Sequence, residues 1–157
     1  MSLPSRKHPR LRNYDYGQCG CYHITICTQD RIPFLSSVVP PITAADRATI
    51  VLTSVGEIAD LYIRRIPEVY TGVDVLKYVI MPNHIHLLLL LGPQATAPVP
   101  TIIRSLKRMI RRDAPNAIFQ DSYYDVIIRN DVMFRCEWSY IDSNPDKWEE
   151  DKLFSRE

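Results

Sequence analysis

The run His84-Ile85-His86-Leu87-Leu88-Leu89-Leu90-Leu91 limits what this chain can fold into more than any other segment. A strand with one wet face alternates apolar and polar residues. This run is apolar at odd and even positions, so it reads as a central strand covered on both sides. Pro82-Asn83 just before it is turn chemistry, and Val73 to Met81 is a β-forming run, so these two strands should be joined by a tight turn. An earlier strand is expected over Tyr22 to Thr28, where Tyr22, Ile24 and Ile26 alternate with more polar neighbours.

Helical spacing appears elsewhere. Ile50, Val51, Val55, Ile58, Ala59, Tyr62 and Ile66 predict one long helix or two short ones from about Ala44 to Ile66, ended by Pro67. Pro33, Pro40 and Pro41 make the preceding stretch a loop, and the prolines of Gly92 to Pro100 make that segment a connector. Thr101 to Asp113 reads as a helix, Tyr124 to Arg129 as an extended segment, and Asp131 to about Ser143 as the final helix. Asp131 is the expected N-cap, and Pro145 disfavours helical geometry at Asn144. Strands interleaved with helices in this way predict an α+β protein, an antiparallel sheet with helices packed on it. The length of 157 residues suits a single domain over 1–157 with a basic N-terminal arm at about 1–13.

Charge and cysteine content exclude some classes. A net charge of +1 argues against a protein that coats nucleic acid by bulk electrostatics. The basic residues are instead local: Arg6, Lys7, Arg10 and Arg12 near the start, and Arg104, Lys107, Arg108, Arg111 and Arg112 in a later helix. Acid collects at Asp146, Glu149, Glu150 and Asp151. No apolar stretch follows the basic start, and Leu87 to Leu91 is far too short to span a bilayer, so a soluble cytoplasmic protein without membrane contact is expected. Cys19, Cys21, Cys27 and Cys136 do not form a disulfide framework and read as ordinary reduced thiols.

His84 and His86 are two apart in a strand, so their imidazoles stand on one face with Ile85 on the other. Such a pair can form two sides of a divalent metal site; it is equally a pattern of two strand histidines near a turn with no ligand role. On the final helix Phe134, Trp138 and Ile141 make the expected buried stripe, and Tyr140 and Asn144 lie one turn apart beside it. Tyr140 could face a cleft and Asn144 could offer an oxygen to a metal, or Tyr140 could be a rim residue and Asn144 merely the helix end.

Taken together, the motifs resemble the REP-associated tyrosine transposases, relatives of the insertion-sequence single-strand transposases in the HUH superfamily. Tyr14, Tyr16, Gly20, Tyr22, Thr25, Thr28, Arg31 and Phe34 look like that family's opening strand, and Val79-Ile80-Met81-Pro82-Asn83-His84-Ile85-His86 is close to its hallmark. Tyr123-Tyr124-Asp125 through Ile128-Arg129-Asn130 looks like its pre-helix motif, and Tyr140-Ile141, Asn144-Pro145, Lys147-Trp148-Glu149 and Asp151 look like its C-terminal signature. The chain departs from the family at Phe119-Gln120, Val126, Asp142, Ser143 and Asp146. The resemblance implies a ferredoxin-like or RRM-like HUH nuclease fold. It also implies Mg²⁺ or Mn²⁺ held by His84, His86 and Asn144, and Tyr140 as a nucleophile that becomes linked to a 5′ phosphate. Tyr123 and Tyr124 are rival nucleophiles, but only Tyr140 has Asn144 one turn away.

The resemblance further implies single-stranded or hairpin DNA as substrate and a monomer or homodimer as the active form. Arg104, Lys107, Arg108, Arg111 and Arg112 fall on one helical face with no interleaved acid, a like-charge cost that a polyanion relieves. Arg10, Arg12, Tyr14 and Tyr16 could add backbone contacts and base stacking. Two rival readings stand beside this one: a hairpin-binding module without cleavage, and a zinc protein using the histidines with Cys19 or Cys21.

Overall fold

A computed structural model of the protein describes residues 19–155, so Arg10, Arg12, Tyr14, Tyr16 and the rest of the basic arm lie outside the described residues. In chain order the elements are Gly20–Cys27 (β1), Ser36–Val39 (β2), Thr49–Leu52 (β3), Ser54–Val69 (α1), Val73–Ile80 (β4), His84–Leu91 (β5), Val99–Asp113 (α2), Tyr124–Ile128 (β6) and Asp131–Ser143 (α3). A short helical turn, Pro145–Glu150, follows. Four strands form an antiparallel sheet in the order β4-β5-β1-β6, and β2 and β3 pair as a separate ribbon. The order β1-α1-β4-β5-α2-β6 is the split arrangement of ferredoxin-like folds, so the expected α+β architecture is the one observed.

Register decides what each sheet face carries. Ile24 lies opposite Leu87 and Ile26 opposite Ile85, whereas Thr25 lies opposite His86 and Cys27 opposite His84. Tyr22, Ile24, Ile85, Leu87 and Leu89 enter a core closed by Ala59 and Ile63 of α1 and Ile102 and Leu106 of α2. The other face carries His23, Thr25, His84, His86 and Leu88 beneath α3. Leu88 is fully buried there, but Leu90, at the strand's far end, is 37% exposed, so the cover expected on both faces stops short of it.

The region before α1 differs from the sequence expectation. Ile50 and Val51 belong to β3, paired with a β2 that falls inside the proline-flanked stretch expected to be a loop. The helix begins only after Thr53, whose hydroxyl accepts from the Gly56 N–H at 3.1 Å. Apolar residues of a half-exposed strand simply run on into the helical pattern, and the cap, rather than periodicity, marks the boundary. Pro67 is inside the last turn of α1, and the Tyr70 N–H still bonds to the Ile66 carbonyl at 2.9 Å, so Pro67 weakens the end without stopping it. Pro100 likewise sits in the first turn of α2, where a missing N–H costs nothing. The N-cap of α3 is Asn130, accepting from the Met133 N–H at 2.9 Å, and not Asp131.

The stripe expected to bury α3 is also corrected. Ile141 is buried, but Trp138 is 37% exposed and Phe134 only half-buried. Burying one such aliphatic side chain is worth about 1.5–3 kcal/mol, too little to fix a helix alone. Polar ties supplement it: Lys77 Nζ reaches Asp142 at 2.8 Å, Arg47 reaches Asp142 and Asp146 at 3.3 and 3.0 Å, and the Ala48 N–H donates to Asp146 at 2.7 Å. Asp142 and Asp146, two of the positions where the sequence departs from its resemblance, thus clasp the end of α3 to β4 and to the loop before β3.

Candidate metal centre and nucleophile

The turn Met81-Pro82-Asn83 sets the first side of the site. Asn83 is buried, and its amide nitrogen donates to the Leu153 carbonyl at 2.6 Å and to Ser155 Oγ at 3.1 Å. Those bonds aim its oxygen at His84 Nδ1, 2.8 Å away. An amide oxygen only accepts, so His84 carries its proton on Nδ1 and leaves Nε2 with a free lone pair. Trp148 of the C-terminal turn packs on the same ring, with centroids 5.9 Å apart.

His84 Nε2, His86 Nε2 and Asn144 Oδ1 are all buried without a hydrogen-bond partner. Leaving a buried acceptor unsatisfied costs about 1–3 kcal/mol each, so three together on one site ask for a common electrophile. The Asn144 amide nitrogen donates to Asp151 Oδ2 at 3.0 Å, which turns its oxygen the other way. Asp151 Oδ2 is in turn 3.7 Å from His84 Nε2, and His84, His86 and Asp151 can offer ligand atoms within 4.8 Å of one another. Two imidazoles, an amide oxygen and a carboxylate form a donor set that fits a divalent cation. Asp151 was visible in the sequence as one of several clustered acids and as part of the C-terminal signature, but not as a ligand. Its role depends on the turn at Pro145–Glu150, which folds the chain back over β5.

The sequence-expected His84, His86, Asn144 and Tyr140 are therefore brought together. Tyr140, 46% exposed, has its ring 5.2 Å from that of His86 and 5.9 Å from that of His23. It opens on a cleft of about 460 Å³ lined also by His23, Thr25, Glu137 and Tyr124. Tyr124 shares this cleft, whereas Tyr123 is buried and turned toward α2. No cysteine belongs to the metal-ligating cluster found among the described residues. Burial pushes the thiols of Cys21 and Cys27 up to about 11, which keeps them protonated and poor ligands.

Burial also dominates the titration of the histidines. It pushes His84 down to about 4 against the opposing pull of Asp151, and it holds His86 well below its usual value, with His84 and His23 acting in the same direction. In the metal-free protein the unfolded chain therefore takes up protons at these positions near pH 6.5 while the folded chain does not. Stability is fully present above that pH and is lost as the pH falls toward about 4. Urea midpoints measured in chelator from pH 7 to 4.5 should fall steeply, and less so for His84→Gln. A flat profile would contradict the buried neutral pair.

The basic side chains of α2 are on the opposite layer from this centre. Arg104, Arg108 and Arg111 are exposed along a groove of about 660 Å³ that also contacts Phe119 and Tyr123. Lys107 is used internally: its ammonium donates to the carbonyls of Gln120, Asp121 and Ser122 at 2.6, 3.3 and 3.1 Å. Arg112 is held by Asp113 and by Tyr62 Oη, at 2.9 and 2.8 Å. Of the five cations on one helical face, Lys107 braces the fold, and Arg112, though tied to Asp113 and Tyr62, stays exposed and lines the same groove as the other three.

Comparison with known proteins bears on the architecture. No family model matches the chain. An uncharacterised protein of Haemophilus influenzae is 24% identical over 174 residues, covering 95% of this chain and 93% of that protein. Among solved structures, a REP-associated tyrosine transposase bound to a REP hairpin superposes with a TM-score of 0.63 at 19% identity, over 88% of this chain and 72% of that one. A Deinococcus radiodurans protein provisionally assigned as a transposase gives 0.51 at 16% identity, over 85% and 96%. No helix among the described residues is long and apolar enough to cross a membrane. The chain has the fold of the REP-associated tyrosine transposases, as its motifs led one to expect.

Proposed function

We propose that the protein is a metal-dependent single-strand DNA endonuclease and strand transferase acting on hairpin DNA, with Tyr140 as nucleophile. The observation that carries this reading is the meeting of three buried, unpartnered acceptors, His84 Nε2, His86 Nε2 and Asn144 Oδ1, beside an accessible phenol. One solved protein of this fold was captured with a REP hairpin, which supports hairpin DNA as the substrate class. Mg²⁺ or Mn²⁺ held by the two imidazoles and the amide, with Asp151 beside them, would supply Lewis-acid stabilisation of charge on the scissile phosphate. Tyr140 Oη then bonds to phosphorus as the P–O3′ bond breaks, giving a 5′-phosphotyrosine. The proton lost by the phenol is balanced by one gained at the released 3′ hydroxyl. The covalent bond preserves the phosphodiester's energy for joining to a second strand.

Arg104, Arg108 and Arg111 would hold the hairpin backbone on the far layer, with the single strand passing the β6 edge, where Tyr123 lines the basic groove and Tyr124 the catalytic cleft. Replacing the three arginines by alanine should weaken hairpin binding and flatten the slope of log affinity against log salt by about 1 per lost phosphate contact. An unchanged slope would return this face to ordinary solvation. The direct test of the function is incubation with a hairpin oligonucleotide carrying a single-stranded flank, in Mg²⁺ or Mn²⁺. A denaturing gel should show a protein–DNA adduct. Tight hairpin binding with no adduct would make the protein a binding module instead.

A further inference from the structure

His23 and Glu137 are outside the ligand set, yet they are wired to it. His23 is buried on β1 and its Nε2 lies 3.0 Å from His86 Nδ1, the nitrogen on the far side of the ring from the orphaned Nε2. Its own Nδ1 is paired with the Glu137 carboxylate, which α3 brings across the sheet one turn before Tyr140. We infer that Glu137 and His23 are positioning residues that fix His86 in the one tautomer able to bind a metal, an inference that rests on the metal site proposed above.

The argument follows proton direction. An ionised carboxylate only accepts, so a neutral His23 imidazole presents Nδ1–H to Glu137 and keeps a lone pair on Nε2. That lone pair accepts from His86 Nδ1–H, and the remaining lone pair of His86 is then on Nε2, which is buried without a partner in the cluster with His84 and Asp151. Thr25 Oγ1 is also 3.0 Å from His86 Nδ1, but a hydroxyl donates as readily as it accepts and cannot set the direction alone. On the other imidazole Asn83 does the same work through an amide oxygen, so the two ligands share one tautomer by different means. Without Glu137, His23 is free to carry its proton on Nε2. It would then point a donor at His86 Nδ1, drive the His86 proton onto Nε2 and occupy the lone pair the metal needs.

Two measurements on the full chain test this. Nitrogen-15 NMR of the metal-free protein should find His86 protonated on Nδ1, and in Glu137→Leu should find it shifted toward the Nε2–H form. Finding wild-type His86 in the Nε2–H form would overturn the inference. Mn²⁺ affinity, read by electron paramagnetic resonance without DNA, should fall about tenfold or more in Glu137→Leu and less in Glu137→Gln, which keeps a neutral acceptor. Equal affinity in wild type and both variants would also overturn it. His84→Ala separates the two layers of the argument. Wild-type protein that binds no Mn²⁺ refutes the metal site itself, whereas binding lost in His84→Ala but unchanged in Glu137→Leu refutes only the wiring. Glu137→Gln, nearly isosteric, keeps the test decisive if the leucine variant folds poorly.

Discussion

Tyr140→Phe protein is expected to fold, to bind hairpin DNA with unchanged affinity, and to form no covalent adduct, with cleavage reduced by at least about 10³-fold. The substitution removes one oxygen from a residue that is nearly half exposed, so little packing is at stake. Burial raises the Tyr140 hydroxyl above its usual value, with Asp151 and Glu137 adding to the effect and the Asn144 amide opposing it. The phenol is therefore protonated at neutral pH, and nothing in the resting site stores a phenolate. In the proposed reaction its reactivity would come from the phosphate it attacks and from a nearby cation, and Phe has no oxygen to attack with. Tyr124 is the one rival that the structure leaves in the same cleft. It projects from β6, while Tyr140 meets His86 itself edge-on, so Tyr124→Phe should still form adduct. Peptide mapping of trapped adduct decides between them: DNA on Tyr124 would overturn the assignment.

What the sequence disclosed and what it hid follow from the same physics. The two-sided apolarity of His84 to Leu91 located the central strand because burial on both faces leaves no other pattern. The His84–His86 pair was legible because strand geometry fixes which residues share a face. Pairing register is not written locally, so nothing in the chain announced that His23 would stand opposite Leu88 and within reach of His86, or that Glu137 would meet it. Phe134 and Trp138 were misjudged for a related reason. Helical periodicity identifies an apolar stripe, but α3 covers a sheet face made partly of histidines, and its packing side is set by Glu137, Tyr140, Ile141 and Asn144 instead. Asp151 belonged to the C-terminal signature, but no ligand role could be read for it until the C-terminal turn placed it against Asn144. β3 was lost because its apolar residues run on into the helical pattern of α1, and β2 because the prolines that flank it mark a loop.

His84→Ala and His86→Ala should each abolish Mg²⁺- or Mn²⁺-dependent nicking while leaving hairpin binding largely intact. Each imidazole contributes one of three unpartnered acceptors, and removing either leaves an incomplete ligand set. The cationic groove on α2 is on the other layer of the molecule, so the phosphate contacts proposed for it would survive. Stability gives a second readout with the opposite dependence on metal. In chelator the alanine variants lose packing but also lose a buried unsatisfied nitrogen and a group that resists protonation, so these effects offset in part. In Mn²⁺ at about 100 times the dissociation constant, wild-type protein gains about 2.7 kcal/mol by mass action, and a variant that no longer binds gains nothing. A thermal melt with and without Mn²⁺ therefore separates loss of the site from loss of the fold. An alanine variant that nicks at the wild-type rate, or that is stabilised by Mn²⁺ as strongly as wild type, would show that these histidines are core residues and that the metal is held elsewhere.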